Sequence, residues 1–365
     1  MVEYAKYELK NVCSRLSSGK SISSKMISEE GRYPVYGGNG LRGYTDHSNF
    51  SGDCAIIGRQ GAFCGNVRYF CGEAYMTEHA VIVCANNLNN THYLAYLLST
   101  MNLGRLSGQS AQPGLSVKTL GIQEIMLPSI EYQNKVVALL SSLDEKIVVN
   151  NNINDNLQQQ AAALFANFYD QAETEVGFTE MIQILGGGTP KTGESSYWNG
   201  DIPFFTPKDV GFPYTLTTEK TITEEGLAHC NSRLYPINTV FVTARGTVGK
   251  VGLPGVPMAM NQSCYALVGK DTHQLLVYFY TLKAVDRLKH KASGAVFDAI
   301  TTRDFEAENI MKLSDDDTKA FLDVAEPIYQ AVLNNSIENL RLSELRDSLL
   351  PKLMNGEIDV TDIRL

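Results

Sequence analysis

The sequence lacks any long apolar run. Hydrophobic residues make up 44% of its 365 positions, yet no apolar stretch approaches the roughly 18 residues that a membrane-spanning helix requires. Residues 1–6 also lack the basic-then-apolar pattern of a secretory signal peptide. The hydrophobic content is too high for an intrinsically disordered chain. We therefore expect a folded cytoplasmic protein of two or three domains that has no membrane partner.

The sequence has no cysteine motif that would hold a metal. No two of its cysteines form a Cys-x-x-Cys pair, and none stands at a zinc-ligand spacing from a histidine. Thiols of a cytoplasmic protein are reduced, and cysteine is among the residue types most often buried. The sequence therefore predicts no metal site and seven reduced, mostly buried thiols, at positions 13, 54, 64, 71, 84, 230 and 264.

Catalytic motifs are missing as well. The segment 186–191 begins like a phosphate-binding loop, but Gly193 is followed by Glu194 rather than by lysine, so we interpret it as a tight turn. There is no His-Glu-x-x-His zinc motif and no Asn-Pro-Pro-aromatic site of the kind used by adenine methyltransferases. Asp144, Glu145 and Lys146 resemble the tail of a nuclease element but lack an upstream acidic partner, which predicts a solvated helix face. We therefore predict no catalytic residue and no cofactor on this chain.

The net charge of −9 is unevenly distributed. Residues 1–128 carry 11 basic and 9 acidic groups, and residues 177–312 carry 13 of each. Residues 129–176 carry 2 basic and 7 acidic groups, and residues 313–365 carry 5 and 11. Nonspecific DNA affinity depends on lysine and arginine neutralising phosphates. Only the two near-neutral segments are suited to lie against phosphate, so we expect the isolated chain to bind DNA weakly.

Two parts of the sequence repeat each other. Segments 54–67 and 240–251 each contain an apolar strand followed by arginine and spaced glycines, which matches Arg59 with Arg245. Gly19 matches Gly188, an offset of 169 residues, whereas the later matches lie about 185 residues apart. The sequence therefore predicts a duplicated unit of globular domain plus helix. The second copy has roughly 16 additional residues within 194–235.

The acidic segments 129–176 and 313–365 have the pattern of long helices. Apolar residues recur at alternating steps of three and four, with asparagines near the middle of each seam and Arg346 as a departure. Pro351 is expected to distort the last turn of the second helix. Each helix is expected to span roughly 35 residues, about 55 Å. We expect the two helices to pair antiparallel within one chain. Pairing of each with a helix of another subunit is the alternative.

Segments 1–128 and 177–312 are rich in glycine, tyrosine and short β-type runs. Short helices are expected near 93–100 and 275–288. The predicted fold class is therefore α+β. It consists of two mixed α/β globular domains joined by two long helices that form an antiparallel coiled coil, with a pseudo-two-fold internal repeat.

Several motifs together resemble the specificity subunits of type I restriction-modification systems. Residues 125–147, which include Pro128 and Gln133, resemble the central conserved region of that family, and residues 349–360 resemble its C-terminus. Residues 186–190 resemble the start of a target recognition domain. Segments 59–65 and 245–249 resemble its Arg-Gly turn. The resemblance covers essentially the whole chain, although Pro128 and Gln133 have no clear counterparts in 313–321.

The resemblance implies a non-catalytic reader of double-stranded DNA. Residues 1–128 and 177–312 would be two target recognition domains, each reading one half of a bipartite site. Residues 129–176 and 313–365 would be helical spacers that dock two methyltransferase subunits and, where present, motor-nuclease subunits. S-adenosylmethionine would be bound by the methyltransferase subunits and not by this chain.

The candidate base-contacting residues are polar side chains in the repeated loops, because arginine pairs well with guanine and asparagine or glutamine with adenine. The two arginines, as residues shared by both copies, are expected to have a structural or phosphate-binding role more often than a base-reading one. The first-domain candidates are Asn39, Arg42, Arg59, Gln60, Gln109 and Ser110, and the second-domain candidates are Thr206, Lys208, Arg245, Thr247, Asn261 and Gln262. The candidate partner-binding residues on the helices are Gln133, Leu140, Ile147, Leu157, Ile328, Val332, Leu342 and Leu349.

Two other interpretations remain open at this point. The chain could be a coiled-coil adaptor whose two end domains bind proteins, or an enzyme that acts on glycans through its tyrosine-rich loops. Co-purification with a methyltransferase would favour the DNA reader, whereas activity of the isolated chain on a small substrate would favour an enzyme.

Overall fold

The computed structural model describes residues 2–107, 114–211, 213–291 and 299–362. The chain divides into two compact units, residues 1–145 with 342–365 and residues 146–341. Each unit contains one mixed α/β domain and a part of each of two long helices. Within the described ranges, no helix has the length and apolarity needed to cross a membrane, and no cluster of histidine, cysteine or acidic side chains is arranged to hold a metal ion.

The domain of the first unit is built on a six-stranded sheet of order β2-β7-β5-β6-β3-β4. Ala55 and Ile57 of β5 and Val81 of β7 are completely buried against Tyr93 and other residues of the first helix. The side chain of Asn90 caps that helix by accepting a hydrogen bond from the Tyr93 amide at 3.0 Å. The strands are β1 Ala5–Glu8, β2 Cys13–Ser18, β3 Tyr33–Gly37, β4 Gly40–Thr45, β5 Phe50–Gly58, β6 Val67–Met76, β7 Ala80–Ala85 and β8 Glu124–Leu127, and the short helices are α1 Thr91–Ser99 and α2 Val117–Gly121.

The domain of the second unit has a five-stranded sheet of order β10-β17-β14-β15-β12 and a three-stranded sheet of order β13-β11-β16. Val240 and Val242 on one face of β14 pack against the long sixth helix, whereas Phe241 on the other face packs on Phe205. The strands are β9 Thr174–Gly177, β10 Ile182–Gly186, β11 Trp198–Phe205, β12 Tyr214–Thr215, β13 Thr221–Ile222, β14 Val240–Thr243, β15 Val251–Pro254, β16 Ala259–Met260, β17 Cys264–Gly269 and β18 Asn309–Lys312. The helices are α4 Phe178–Met181, α5 Glu224–Ala228, α6 Gln274–Lys291 and α7 Thr302–Glu306.

The strand pairing confirms the internal repeat. Strand β1 pairs antiparallel with β8 and places Ala5 opposite Leu127, and β9 pairs in the same way with β18 and places Thr174 opposite Lys312. Most of the added residues of the second copy lie between β11 and β13. Strands β3 and β4 are joined by only Gly38 and Asn39, whereas β11 and β13 are joined by residues 206–220, which include β12. This inserted loop falls within the range predicted from the sequence.

The two long helices are α3 Ile130–Gln171 and α8 Asp315–Met354. With 42 and 40 residues they are longer than predicted, and α8 continues as regular helix through Pro351. In the first unit Asp144 of α3 contacts Arg346 of α8, so the prediction of a solvated face at Asp144 is wrong. In the second unit Asn150 contacts Asn339, and Asn335 contacts Asn154. The helices therefore pack antiparallel within each unit, as predicted.

The cysteine prediction is only partly confirmed. All seven cysteines are free. Only Cys54 and Cys264 are buried, however, and Cys71 is exposed. Burial raises the pKa of Cys54 and of Cys264 to about 12, so these two thiols are poor nucleophiles.

Candidate nucleic-acid interface

In the second unit an open pocket lies where three loops meet. They are the inserted loop 206–220, the loop that follows β14, and the turn between β16 and β17. Their polar side chains come together although they are distant in sequence. The pocket is lined by five of the six candidates for this domain, Thr206, Lys208, Arg245, Thr247 and Asn261, and also by Pro207, Glu219, Lys220, Gly246 and Ser263. The sixth candidate, Gln262, lies in the same turn as Asn261 and accepts a hydrogen bond from the Thr189 hydroxyl.

The carboxylate of Asp209 holds the inserted loop in place. One oxygen accepts hydrogen bonds from the amide and the hydroxyl of Thr206, at 2.8 and 2.6 Å, and the other accepts from the amide of Glu219 at 2.8 Å. The hydroxyl of Thr247 donates to the carbonyl of Pro207 at 3.1 Å, which joins this loop to the one after β14. Thr206 and Thr247 therefore use their hydroxyl protons to shape the pocket rather than to contact a ligand.

The pocket is positively charged. Among the described residues that line it, three are cationic, Lys208, Lys220 and Arg245, and one is acidic, Glu219, while the Asp209 carboxylate is bonded to the loop beside them. The Lys208 ammonium lies 3.9 Å from that carboxylate, but both side chains are well exposed. Arg245 is exposed and makes no side-chain hydrogen bond or ion pair with any residue that the structure describes. Its exposed side chain lines the rim of the pocket.

In the first unit the corresponding end of the sheet carries the tip of the β3–β4 hairpin. Asn39 and Arg42 are exposed there. Gly38 fits closely against both the β6–β7 turn and the loop after β5, since a Cβ on it would lie 2.9 Å from the His79 carbonyl oxygen and 3.6 Å from the Arg59 nitrogen. The hairpin tip thus lies beside Arg59 and the exposed Gln60. Gln109 and Ser110 lie outside the residues that the structure describes.

Two cationic residues of these sites were missed by the sequence analysis. A Cβ on Gly40 would lie 2.7 Å from a guanidinium nitrogen of Arg68, which places this exposed arginine of β6 at the hairpin. Lys220 lies at the end of the inserted loop, with its ammonium 5.7 Å from the centre of the Trp198 ring. The signal for Lys220 was the insertion itself, because only the second copy has this loop. Arg68 had no such signal in the sequence.

Arg59 and Arg245, which the sequence matched with each other, are not equivalent in the fold. The amide of Arg59 donates to the His79 carbonyl at 3.1 Å, whereas in the second domain the Ser263 carbonyl accepts from the Ala244 amide at 2.8 Å and from the Arg245 amide at the longer distance of 3.3 Å. Arg59 is half-buried, and its guanidinium donates to the Ser18 hydroxyl at 3.0 Å. Its geometry is that of a residue that joins two strands, whereas Arg245 is exposed.

The predicted partner-binding residues of the helices are buried or half-buried within this chain. Gln133, Leu140 and Val332 are fully buried, so the prediction that they contact a partner is wrong for these three. The Gln133 amide group donates to Asn89 and to the Pro128 carbonyl, both at 3.0 Å. The other five are half-buried, namely Ile147, Leu157, Ile328, Leu342 and Leu349. A seam that pairs two helices of one chain cannot also serve as a free surface.

The apolar residues that α3 does expose lie beside the seam. Val148, Val149 and Ile153 have 57%, 49% and 44% of their surface accessible. Val149 and Ile153 are four residues apart and therefore neighbours on the helix surface, with Val148 next in the chain. These three residues of the second unit are here called the valine patch. The signal for it in the sequence was the set of apolar residues at 147–149 and 153, which is more than a single seam requires.

Comparison with known proteins gives one consistent family. A sequence model of the family described as "Type I restriction modification DNA specificity domain" matches residues 1–159 and 174–312. The chain is 40% identical over 134 residues to the EcoprrI type I restriction enzyme specificity subunit of Escherichia coli, covering 36% of this chain and 33% of that protein. It is 24% identical over 327 residues to the HindI specificity subunit of Haemophilus influenzae, covering 67% of this chain and 71% of that protein. The match thus spans about a third of the first relative's length.

The fold has a known counterpart. The crystal structure of a type I restriction-modification system S subunit from M. genitalium aligns with a TM-score of 0.64 at 14% sequence identity, over 96% of each chain. At this identity the likeness supports the two-domain fold with its long helices and not any particular contact.

Proposed function

Because the chain belongs to the family of type I restriction-modification DNA specificity domains, we propose that it is the DNA-reading subunit of such a complex and catalyses no reaction itself. In this proposal the domains within 1–128 and 177–312 each read one part of a bipartite target in double-stranded DNA. The helical segments 129–176 and 313–365 connect the two readers and bind the other subunits.

The observation that carries the proposal is the pocket of the second unit. It presents Lys208, Lys220 and Arg245 beside the amide of Asn261 on a rim of loops held together by hydrogen bonds. Lysine contacts with phosphate give affinity without sequence information, whereas arginine and amide side chains in the major groove distinguish base pairs. Both kinds of group are present within one concave surface, as a sequence reader requires.

The two domains support recognition of two different half-sites. They share equivalent strand pairs but differ in sheets and loops. The first domain has one six-stranded sheet and the second has a five-stranded and a three-stranded sheet, and the second copy contributes the inserted loop 206–220 where the first has the two-residue hairpin turn. Two readers on one face of a duplex engage it one or more helical turns apart, about 34 Å per turn. We therefore expect two unlike recognised sequences separated by bases that the protein does not read.

The helices are the proposed docking surface for two methyltransferase subunits, which would bind S-adenosylmethionine. The valine patch offers exposed apolar area, and the helical segments carry most of the excess acidic charge of the chain. Buried apolar contacts stabilise a protein interface and complementary charges orient it. Basic surfaces on the methyltransferase subunits are thus the expected complement, and a motor-nuclease subunit would join the same complex.

The test is to co-express the chain with adenine methyltransferase subunits, purify the complex, and sequence the DNA that it methylates. The expected result is one discrete motif made of two specified parts and an unspecified spacer. A continuous motif without an unread centre would contradict the bipartite proposal. Failure of the chain to form a complex or to direct methylation to any sequence would favour an adaptor protein.

A further inference from the structure

We propose that Gln60 and Arg245 occupy one and the same base-reading position in the two domains, with Gln60 selecting adenine in one half-site and Arg245 selecting guanine in the other. This inference rests on the proposed function and assigns to it a specificity-determining pair. It differs from the match between the two sequence copies, which pairs Arg245 with Arg59.

The backbone pairing establishes the equivalence. Gln60 forms an isolated β-bridge with Gly114, and Arg245 forms the same kind of bridge with Ala299. The residue before each of them also has matching partners. The Arg59 carbonyl accepts from the amide of Leu115 at 2.8 Å, and the Ala244 carbonyl accepts from the amide of Ile300 at 3.0 Å.

The mismatch with the sequence arises because the loop is one residue shorter in the second domain. The amide of Gly65 donates to the Gly58 carbonyl at 2.7 Å, and the amide of Gly249 donates to the Thr243 carbonyl at 2.8 Å. These bonds close the two loops at the same place. The first loop therefore holds six residues, 59–64, and the second five, 244–248. A sequence alignment that pairs Arg59 with Arg245 therefore shifts the register of this loop by one residue.

The two adjacent positions have different surroundings, and the difference is the same in both domains. The first is turned inward, since Arg59 is half-buried against Ser18 and Ala244 is only 4% exposed. The second is exposed in both, as Gln60 and Arg245. A side chain at the second position is the one that can reach the edge of a base.

The backbone beside this position is open to a close approach. The next residue is Gly61 in one domain and Gly246 in the other, with φ of +73° and +84°. A Cβ on Gly61 would meet nothing within 4 Å, and one on Gly246 would meet only the Pro207 Cβ at 3.9 Å. Glycine is needed there for the left-handed backbone and not for internal packing. The side of the loop next to Gln60 or Arg245 is thus free for a groove of DNA.

The chemistry of the two side chains gives the base assignment. In the major groove, arginine donates two hydrogen bonds to O6 and N7 of guanine, and glutamine bonds in a bidentate way to N6 and N7 of adenine. In the second domain Lys208 and Lys220 stand beside Arg245 and are suited to the phosphates. Of the three cationic side chains in this pocket, Arg245 is therefore the one suited to contact a base.

The test exchanges the two side chains in the methyltransferase complex and compares the methylated motifs. R245Q is expected to change one position of one half-site from guanine to adenine, with about a tenfold change in preference and the other half-site unchanged. Q60R is expected to make the reverse change in the other half-site. R245K keeps the charge but loses the bidentate fork, so it should relax the guanine preference while DNA affinity is retained.

R59Q is the matched control, because it alters the adjacent arginine that faces inward. It is expected to lower the stability of the domain and to leave the base preference unchanged. A motif altered at a single position by R59Q would overturn the inference, because the sequence match would then be correct. Uniform weakening of methylation by R245Q, with an unchanged motif, would assign Arg245 to phosphate and also overturn it. Either result leaves the proposed function intact, because that function is tested separately, by whether the unaltered complex forms and methylates a discrete bipartite motif.

Discussion

The guanidinium of Arg346 on α8 donates a hydrogen bond of 2.6 Å to the carboxylate of Asp144 on α3. The other oxygen of that carboxylate accepts a hydrogen bond of 2.5 Å from the hydroxyl of Tyr96 on α1. Burial lowers the pKa of Arg346, but the hydrogen bonds to Asp144 and Asp347 outweigh this and raise it above its ordinary value. Arg346, the one departure from the apolar seam of α8, thus joins both long helices to the first domain.

Replacement of Arg346 by methionine should destabilise the first unit. The substitution keeps an unbranched side chain but removes the hydrogen bond to Asp144, whose side chain is only 33% exposed. Charge-assisted hydrogen bonds of this kind contribute about 1 to 2 kcal/mol when partly exposed. The loss would be measured as the free energy of unfolding in urea. Arg341→Met is the control on the same helix, since Arg341 is exposed. An equal loss in both variants would contradict a specific role for the Arg346–Asp144 contact.

The asparagines of the helical seam form a polar contact that is itself repeated. Asn150 is 1% exposed and donates to Asn339 at 2.9 Å, and Asn335 donates to Asn154 at 2.8 Å. Asn150 and Asn335 are equivalent in the repeat, as are Asn154 and Asn339, because α3 and α8 begin at equivalent residues, Ile130 and Asp315. The two contacts are therefore the same interaction made twice, which is how a two-fold interface is built.

Asn150→Leu should destabilise the helix pair by about 1 kcal/mol, because the side-chain oxygen of half-buried Asn339 loses its donor, while the Asn339 amide group still donates to Asn151 at 2.8 Å. The double variant Asn150→Leu, Asn339→Leu should recover part of the loss, since both seam positions are then apolar. A double-mutant cycle in urea unfolding measures the coupling. The equivalent cycle on Asn154 and Asn335 is the internal control. Additive losses in both cycles would show that these asparagines are not coupled.

The sequence predicted the parts of the fold that depend on local signals. The apolar residues at alternating steps of three and four predicted both long helices, α3 and α8. The burial of Gln133 could not be predicted, because its partners, Asn89 and the Pro128 carbonyl, are brought together by tertiary packing. The equivalence of Gln60 with Arg245 could not be predicted either. The second loop is one residue shorter, so the two arginines match in sequence without being equivalent in the fold.

His92 should make the stability of the first unit depend on pH. Its ring stacks between Tyr69 and Tyr96, with centroids 3.7 and 4.6 Å away. Burial lowers its pKa below the ordinary 6.5, although Asp144, Asp53 and Glu145 act in the opposite direction. The unfolded chain therefore takes up a proton at a higher pH than the folded one. The stability contributed by neutral His92 is present above pH 6.5. It is lost as the pH falls from there through the lower pKa that His92 has in the folded protein.

His92→Phe preserves a stacked ring and removes the titration. Its free energy of unfolding should fall less than that of the unaltered protein when the pH is lowered from about 7 to about 5. Urea unfolding at a series of pH values measures this. Parallel curves for the two proteins would mean that His92 does not contribute to the pH dependence.

The valine patch on α3 should decide whether the methyltransferase subunits bind. Val149→Asp places a charge at a side chain that is 49% exposed, so it should leave folding intact while opposing burial at an interface that is already acidic on this chain. The expected result is at least a tenfold loss of methyltransferase affinity, measured by titration of the purified subunits, because truncation or charging of a central contact costs more than 1 kcal/mol. Val324→Asp on α8 is the matched control, with the same residue type and the same 49% exposure. Full affinity in the Val149 variant would place the docking surface elsewhere on the helices, and an equal loss in both variants would show that docking is not specific to the valine patch.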